Sequence, residues 1–399
     1  MSPIQLSQRA RQTPPSPIRR LAHLAQAAKA AGKKVYHLNI GQPDIKSPPE
    51  FLEGLKLYQD LVVAYEASEG NARLRREWAH FINRTLEINL SPEHFLITTG
   101  ASEALVFVFM TCCDPGDEIL IFDPTYANYI GFAAISGVKL VSILTKLKHN
   151  FALPGRDEIE AQITPRTRAI LLCSPNNPTG TVYNRQELEL LLNICNEHNI
   201  YLVVDETYRE IVFDGLTPLS IFQLDPRNDR VIVVDSLSKR FSLCGARIGG
   251  LITSNQEFLA KTLNQAQARL AVSSVDQFAA AHMLSKIKPG YIEGVRTEYQ
   301  KRRDVLCEAL RTISGVEIQK PKGAFYTVAR LPVSDSDDFA AFLLSRFSHM
   351  GETVFVAPAS GFYMTNSTGR DKVRLAFVLD CESLQKAAEL LELGLKEYK

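Results

Sequence analysis

Between residues 95 and 253, short runs of β-branched and aliphatic residues alternate with longer amphipathic segments. This alternation restricts the fold more than any other feature of the chain. The runs at 95–98, 118–122, 138–144, 168–173, 201–205, 231–235 and 248–253 read as strands, each bounded by Gly, Asp or Pro. The segment 185–198 has helical spacing, with Leu188, Leu191, Leu192 and Cys195 on one face. Strands alternating with helices require a mainly parallel sheet covered on both faces. Such a sheet binds ligands beyond the carboxyl ends of its strands.

From about residue 290 the pattern changes. A charged helix over 291–312 leads into strand-like pieces at 316–318, 325–328, 354–357 and 373–377, and a last amphipathic helix covers 382–398. A chain of 399 residues is long for one domain. The expected division is a large domain over 48–290 and a smaller α+β domain formed by 1–47 and 291–399, including an N-terminal arm. The arm carries Arg9, Arg11, Arg19 and Arg20 among prolines, with no apolar stretch behind them, unlike a signal peptide.

A net charge of +1 argues against a general nucleic-acid or anionic-membrane surface, and no long uncharged apolar segment could span a bilayer. The seven cysteines are scattered through mostly apolar stretches without metal-ligand spacing, so no metal is expected. They suit reduced core thiols in the cytoplasm.

Four strand ends carry polar residues out of keeping with their apolar bodies. One runs into Ser174-Pro175-Asn176-Asn177-Pro178-Thr179-Gly180, another into Asp205-Glu206-Thr207-Tyr208, a third into Ser236-Leu237-Ser238-Lys239. The fourth, Thr98-Thr99-Gly100-Ala101-Ser102, is a strand, a glycine turn and a helix start, which aims free backbone N–H groups at an anion. Two serines and Arg247 near Lys239 suit a dianionic phosphate. Lys239 itself reads two ways: as the amine of a Schiff base with an aldehyde cofactor, or as a surface lysine after a buried strand. Neither G-x-G-x-x-G nor G-x-x-x-x-G-K-[ST] occurs, which argues against a dinucleotide fold or a P-loop.

With Leu38-Asn39-Ile40-Gly41-Gln42-Pro43-Asp44 ahead of them and Arg374 behind, these motifs run over nearly the whole chain. In this order they make the chain resemble the class I/II aminotransferases, aspartate aminotransferase-like enzymes of fold-type I that depend on pyridoxal 5'-phosphate. Each motif alone is moderately specific; five in the family's order are very specific. The resemblance implies an α/β fold, in which helices flank a mainly parallel seven-stranded sheet in the large domain and the smaller domain is α+β. It also implies a homodimer with shared active sites and a ping-pong transfer of an amino group between an amino acid and a 2-oxo acid.

Carried over by position, the resemblance makes Lys239 the Schiff-base lysine and the base that moves the substrate's α-proton. Asp205 would face the pyridine nitrogen, Asn177 and Tyr208 the phenolic oxygen, and Tyr126 the ring. Ala101, Ser102, Ser236, Ser238 and Arg247 would hold the phosphate, joined by Tyr65 of the second subunit. Arg374 would clamp the substrate α-carboxylate, with Gly41 and Asn177 beside it.

The side-chain pocket is less defined. Arg269 lies about where some aspartate aminotransferases carry an arginine, again from the partner chain, for a distal carboxylate. Its spacing from Lys239 is shorter here, and Val275-Asp276 replaces the Pro-Pro that often follows. Another branch uses a lysine where Ser102 stands. A distal clamp and a structural role both remain open for Arg269. The expected substrates are aspartate or glutamate with 2-oxoglutarate. The alternatives are an aminotransferase for aromatic or neutral amino acids and a β-lyase acting on a sulfur amino acid.

Overall fold

The computed structural model describes residues 4–365 and 367–398. At its centre lie seven strands: β1 (Phe95–Thr98), β2 (Glu118–Asp123), β3 (Lys139–Leu144), β4 (Thr167–Cys173), β5 (Tyr201–Asp205), β6 (Val231–Ser236) and β7 (Gly249–Ile252). Their spatial order is β1-β7-β6-β5-β4-β2-β3. All neighbours are parallel except β7, which runs antiparallel to both β6 and β1. Two reversals across β7 leave β1 pointing the same way as β6. One edge of the sheet therefore collects six carboxyl ends and the amino end of β7.

The strands form where the chain is apolar on both faces. β1, β2 and β6 are buried at every position, and successive residues serve opposite sides. Ile119 and Ile121 join the core on one face, with Leu105 and Phe109 of the helix Ala101–Cys112. Leu120 and Phe122 join the core on the other, with Trp78 and Leu191. The edge strand β3 exposes Lys139 and Leu144, and β4 exposes Arg168 near its start.

The remaining elements build a second sheet of four antiparallel strands, in the order Ala357–Pro358, Lys372–Ala376, Tyr326–Arg330, Glu317–Ile318. The helices Pro289–Arg311 and Cys381–Glu397 pack against each other beside it. The core that includes Leu105 and Ile119 continues through Phe325 and Tyr326 to Leu375 and Leu390, so both sheets share it.

The strand expected at 354–357 is divided. Glu352–Phe355 pairs in parallel with Lys34–His37, and only Ala357–Pro358 joins the four-stranded sheet. Sequence periodicity missed Lys34–His37 because only one of its four residues is buried. Among the described residues, no helix is long and apolar enough to cross a membrane.

Candidate active site

At the carboxyl edge of the sheet a cavity of about 280 Å³ opens, and the strand ends singled out by their polar residues all reach it. The turn after β1 brings Ala101 and Ser102, and the loop after β2 brings Tyr126. Asn177 follows β4, Asp205 ends β5 with Tyr208 just beyond it, and Ser236 ends β6 with Ser238 and Lys239 in the helical turn that follows. Arg247 enters just ahead of β7. An adjoining hollow of about 470 Å³ shares Lys239, Tyr126, Asn177 and Tyr208, and adds Gly41, Tyr326 and Arg374. That volume is in the range of small-molecule sites.

One end of the cavity is built for an anion. The helix Ala101–Cys112 starts after Gly100, whose φ of 77° lies in the left-handed region. A Cβ on Gly249 would lie 2.3 Å from the Gly100 carbonyl carbon, so glycine alone lets β7 pass this turn. Arg247 also has positive φ, at 54°, and donates from Nη1 to Cys244 O at 3.0 Å and from Nη2 to Thr99 O at 3.2 Å. These bonds fix the guanidinium against the turn. The Ser236 and Ser238 hydroxyl oxygens lie 2.9 Å apart, and Ser236 Oγ accepts from the Ser238 N–H at 3.1 Å. Backbone N–H groups at a helix start, two hydroxyls and an arginine together suit a phosphate.

At the centre, Asp205 is buried. Its Oδ2 accepts from Tyr129 Oη at 2.7 Å and its Oδ1 from the Thr207 N–H at 3.1 Å. Burial pushes the carboxyl pKa up, while the bonds from Thr207 and Tyr129 pull it down. No cation is among those partners. The half-buried Lys239 amine donates to Gly41 O at 3.2 Å, with Cys244 Sγ 3.7 Å away. Tyr126 stands edge-on to Tyr129, with ring centroids 5.3 Å apart.

On the far side lies Arg374, fully buried in the strand Lys372–Ala376. Its guanidinium is sandwiched between the rings of Tyr326 and Phe362, at 4.5 and 4.8 Å. Nη1 donates to Asn177 Oδ1 at 3.3 Å and Nη2 donates to Asn39 O, but the buried Nε has no hydrogen-bond partner among the described residues. Burial pushes the guanidinium pKa down. A buried cation without a carboxylate is costly unless an anion arrives. Tyr208 Oη is 3.1 Å from Tyr326 Oη and accepts from Asn177 Nδ2 at 3.4 Å, linking Arg374 to the β5 end. Gly41 fits because a Cβ there would lie 1.8 Å from Tyr326 Oη.

Two residues expected to serve the partner's site, Tyr65 and Arg269, lie outside this chain's own cavity. Tyr65 is 83% exposed, next to Leu61, Val62 and Val63, which are also exposed. Arg269 is tied down within its own chain: Nε is 3.3 Å from Glu103, Nη2 donates to Ile97 O at 3.1 Å, and the guanidinium lies over Phe107. Sequence reasoning in turn overlooked Tyr129, Tyr326, Phe362, Cys244 and Arg19. Tyr129 had a usable signal, standing one helical turn beyond Tyr126. Cys244 is placed by the local turn after Lys239, and Tyr326, Phe362 and Arg19 are brought in by long-range packing.

The family model for aminotransferase class I and II matches residues 33–391. The chain is 31% identical over 389 residues to the aspartate aminotransferase of Thermotoga maritima, covering 97% of this chain and 98% of that protein. It is also 31% identical to aromatic-amino-acid aminotransferase 2 of Thermococcus litoralis, covering 99% of each. Among solved structures, the alanine aminotransferase of Pyrococcus furiosus superposes with a TM-score of 0.90 at 30% identity, covering 98% of this chain and all of that one.

Proposed function

The chain belongs to the class I and II aminotransferase family and is an aminotransferase; on that premise we propose that it uses pyridoxal 5'-phosphate to move an amino group from aspartate or glutamate to a 2-oxo acid. Three features of the site fit that cofactor. The Gly100–Arg247 end offers donors for a phosphate, and Lys239 offers an amine for an aldehyde carbon. Asp205, buried without a cationic partner, fits a protonated ring nitrogen. When bound, the cofactor supplies a ring that accepts the electron pair left as the substrate's Cα–H bond breaks.

The chain's own residues do the rest. Arg374 holds the substrate α-carboxylate, with its plane fixed by Tyr326 and Phe362 and its free Nε available as a donor. Lys239 Nζ carries the proton released at the α-carbon. Asn177 and Tyr208 stand between Arg374 and the cofactor region, and Tyr126 borders both hollows. Burial pushes the Asp205 carboxyl pKa up, and Tyr129 and the Thr207 N–H donate to its ionised form and oppose that rise.

We also take the enzyme to be a homodimer in which Tyr65 reaches the partner's phosphate site. The exposed apolar run at Leu61, Val62 and Val63 supports that reading. The seven-stranded sheet lies wholly within 48–290 and the four-stranded sheet outside it, which supports the expected division into domains. Seven free cysteines support a cytoplasmic location.

The observation that carries the proposal is that Lys239 borders both the hollow holding Asp205 and the hollow holding Arg374. Borohydride reduction of the cofactor-loaded protein should leave the label on the peptide containing Lys239. A label on any other lysine would overturn the assignment. Lys239→Ala should lower turnover by roughly 10²- to 10⁴-fold or more, as loss of a general base does.

A further inference from the structure

Arg19 comes from the N-terminal arm, yet it lines both hollows of the site. The arm is seated there by three contacts. Pro17 lies against Gly361, where a Cβ would come within 2.2 Å of the proline ring. Ile18 packs on the apolar cluster that includes Ala127 and Phe362. Arg20 pairs with Asp337, which also accepts from Ser360 Oγ at 2.7 Å. Between these anchors, Arg19 has no carboxylate or carbonyl bonded to its guanidinium among the described residues. The seat is part of the substrate site, because Phe362 is one of the two rings that sandwich Arg374.

Charge decides what such a side chain can bind. The larger hollow is lined by three cations, Arg19, Lys239 and Arg374, and by no Asp or Glu. In the proposed reaction Arg374 takes the α-carboxylate and Lys239 serves the cofactor aldehyde. One cation is left over. An aliphatic or aromatic side chain would leave it unmatched, whereas a second carboxylate would meet the arginine's fork of donors. Arg269, the other candidate, lies 3.3 Å from the Glu103 carboxylate and donates from Nη2 to Ile97 O at 3.1 Å.

We propose that Arg19 binds the distal carboxylate of the substrate, making this aminotransferase selective for dicarboxylic amino acids through its N-terminal arm. The assignment rests on the proposed function, since it takes the α-carboxylate to lie on Arg374. It also gives the arm a role: a dicarboxylic substrate bridges Arg374 in the body and Arg19 in the arm.

The test compares cofactor-loaded wild type with Arg19→Gln, Arg19→Lys and Arg269→Ala. It measures kcat/KM for aspartate and glutamate against alanine and phenylalanine, and the Kd of maleate by calorimetry. In Arg19→Gln the dicarboxylic-to-monocarboxylic ratio should fall roughly 10- to 100-fold and maleate should weaken by a similar factor, as for loss of a charge-assisted pair. Arg19→Lys should recover part of both, because it keeps the charge but not the fork.

An unchanged ratio in Arg19→Gln together with a drop in Arg269→Ala would move the role to Arg269. Weaker pyridoxal phosphate binding at an unchanged ratio would assign Arg19 to the phosphate instead. A wild type that prefers monocarboxylic donors would also overturn the proposal. Failure of the underlying reading looks different: wild type would transfer nothing from any donor, while the maleate comparison would still report on Arg19.

Discussion

Burial and hydrogen bonding pull the Asp205 carboxyl in opposite directions. The buried side chain is pushed toward its neutral form, and Tyr129 and Thr207 donate to the ionised form. Tyr129→Phe removes one donor and little volume, so the carboxyl pKa should rise further. Because the ionised form is the one that holds a protonated ring nitrogen, pyridoxal phosphate affinity should be lost at higher pH in the variant. A shift of the acid limb by about one pH unit is expected for one charge-assisted bond. Cofactor titration between pH 4 and 8 measures it, and superimposable curves would show that Tyr129 merely packs.

Arg374 makes a contrasting case. Arg374→Lys keeps the charge but loses the planar fork of donors and the stacking between Tyr326 and Phe362. It should lower kcat/KM by roughly 10- to 100-fold for every amino acid alike, because the α-carboxylate is common to all. A loss confined to dicarboxylic donors would place Arg374 at the wrong end of the substrate. Lys239 and Asp205 drew notice in the sequence because each sits at the polar end of an apolar run, whereas their roles, and Arg374 altogether, came from the family resemblance. Tyr326 and Phe362 were not legible, since an aromatic residue in a strand or short helix reads as core until its partner across the chain is known.

At the scale of elements, the strands of the central sheet were legible almost to the residue, because a strand covered on both faces must be apolar throughout. Lys34–His37 was not, being mostly uncovered and short. The strand end at Asp123 shows how the apolar rule is broken for a purpose. Asp123 closes β2, is buried, and Oδ2 accepts from the Met364 N–H at 2.8 Å, tying the loop near Arg374 to the sheet. Burial pushes its carboxyl from 3.8 to about 6. The raised value means the fold favours the protonated form. The stability it lends is therefore present below pH 3.8 and is lost as pH rises through about 6. The two-unit rise corresponds to about 3 kcal/mol. Asp123→Asn, which can still accept from Met364, should be free of that loss. Denaturant unfolding of both proteins at pH 4 and pH 7 should show the variant gaining relative to wild type at pH 7, and parallel behaviour would remove the burial argument.

For the whole molecule, the decisive question is whether one chain completes its own site. The described cavity supplies phosphate donors, Lys239, Asp205 and Arg374, all from one chain, while Tyr65 lies fully outside it on an exposed apolar run. If Tyr65 serves the partner's phosphate, defects at Tyr65 and Arg374 fall on different sites of a dimer. A hybrid of one Tyr65→Ala subunit with one Arg374→Ala subunit then has one site with both defects and one with neither. Co-refolding equal amounts should give hybrids in half of the dimers, so about a quarter of wild-type activity should return at limiting cofactor. The parent homodimers, each carrying the same defect in both sites, should stay well below that. Hybrids confirmed by native mass spectrometry but no more active than the mean of the parents would place Tyr65 outside the neighbouring site and leave each active site the work of a single chain.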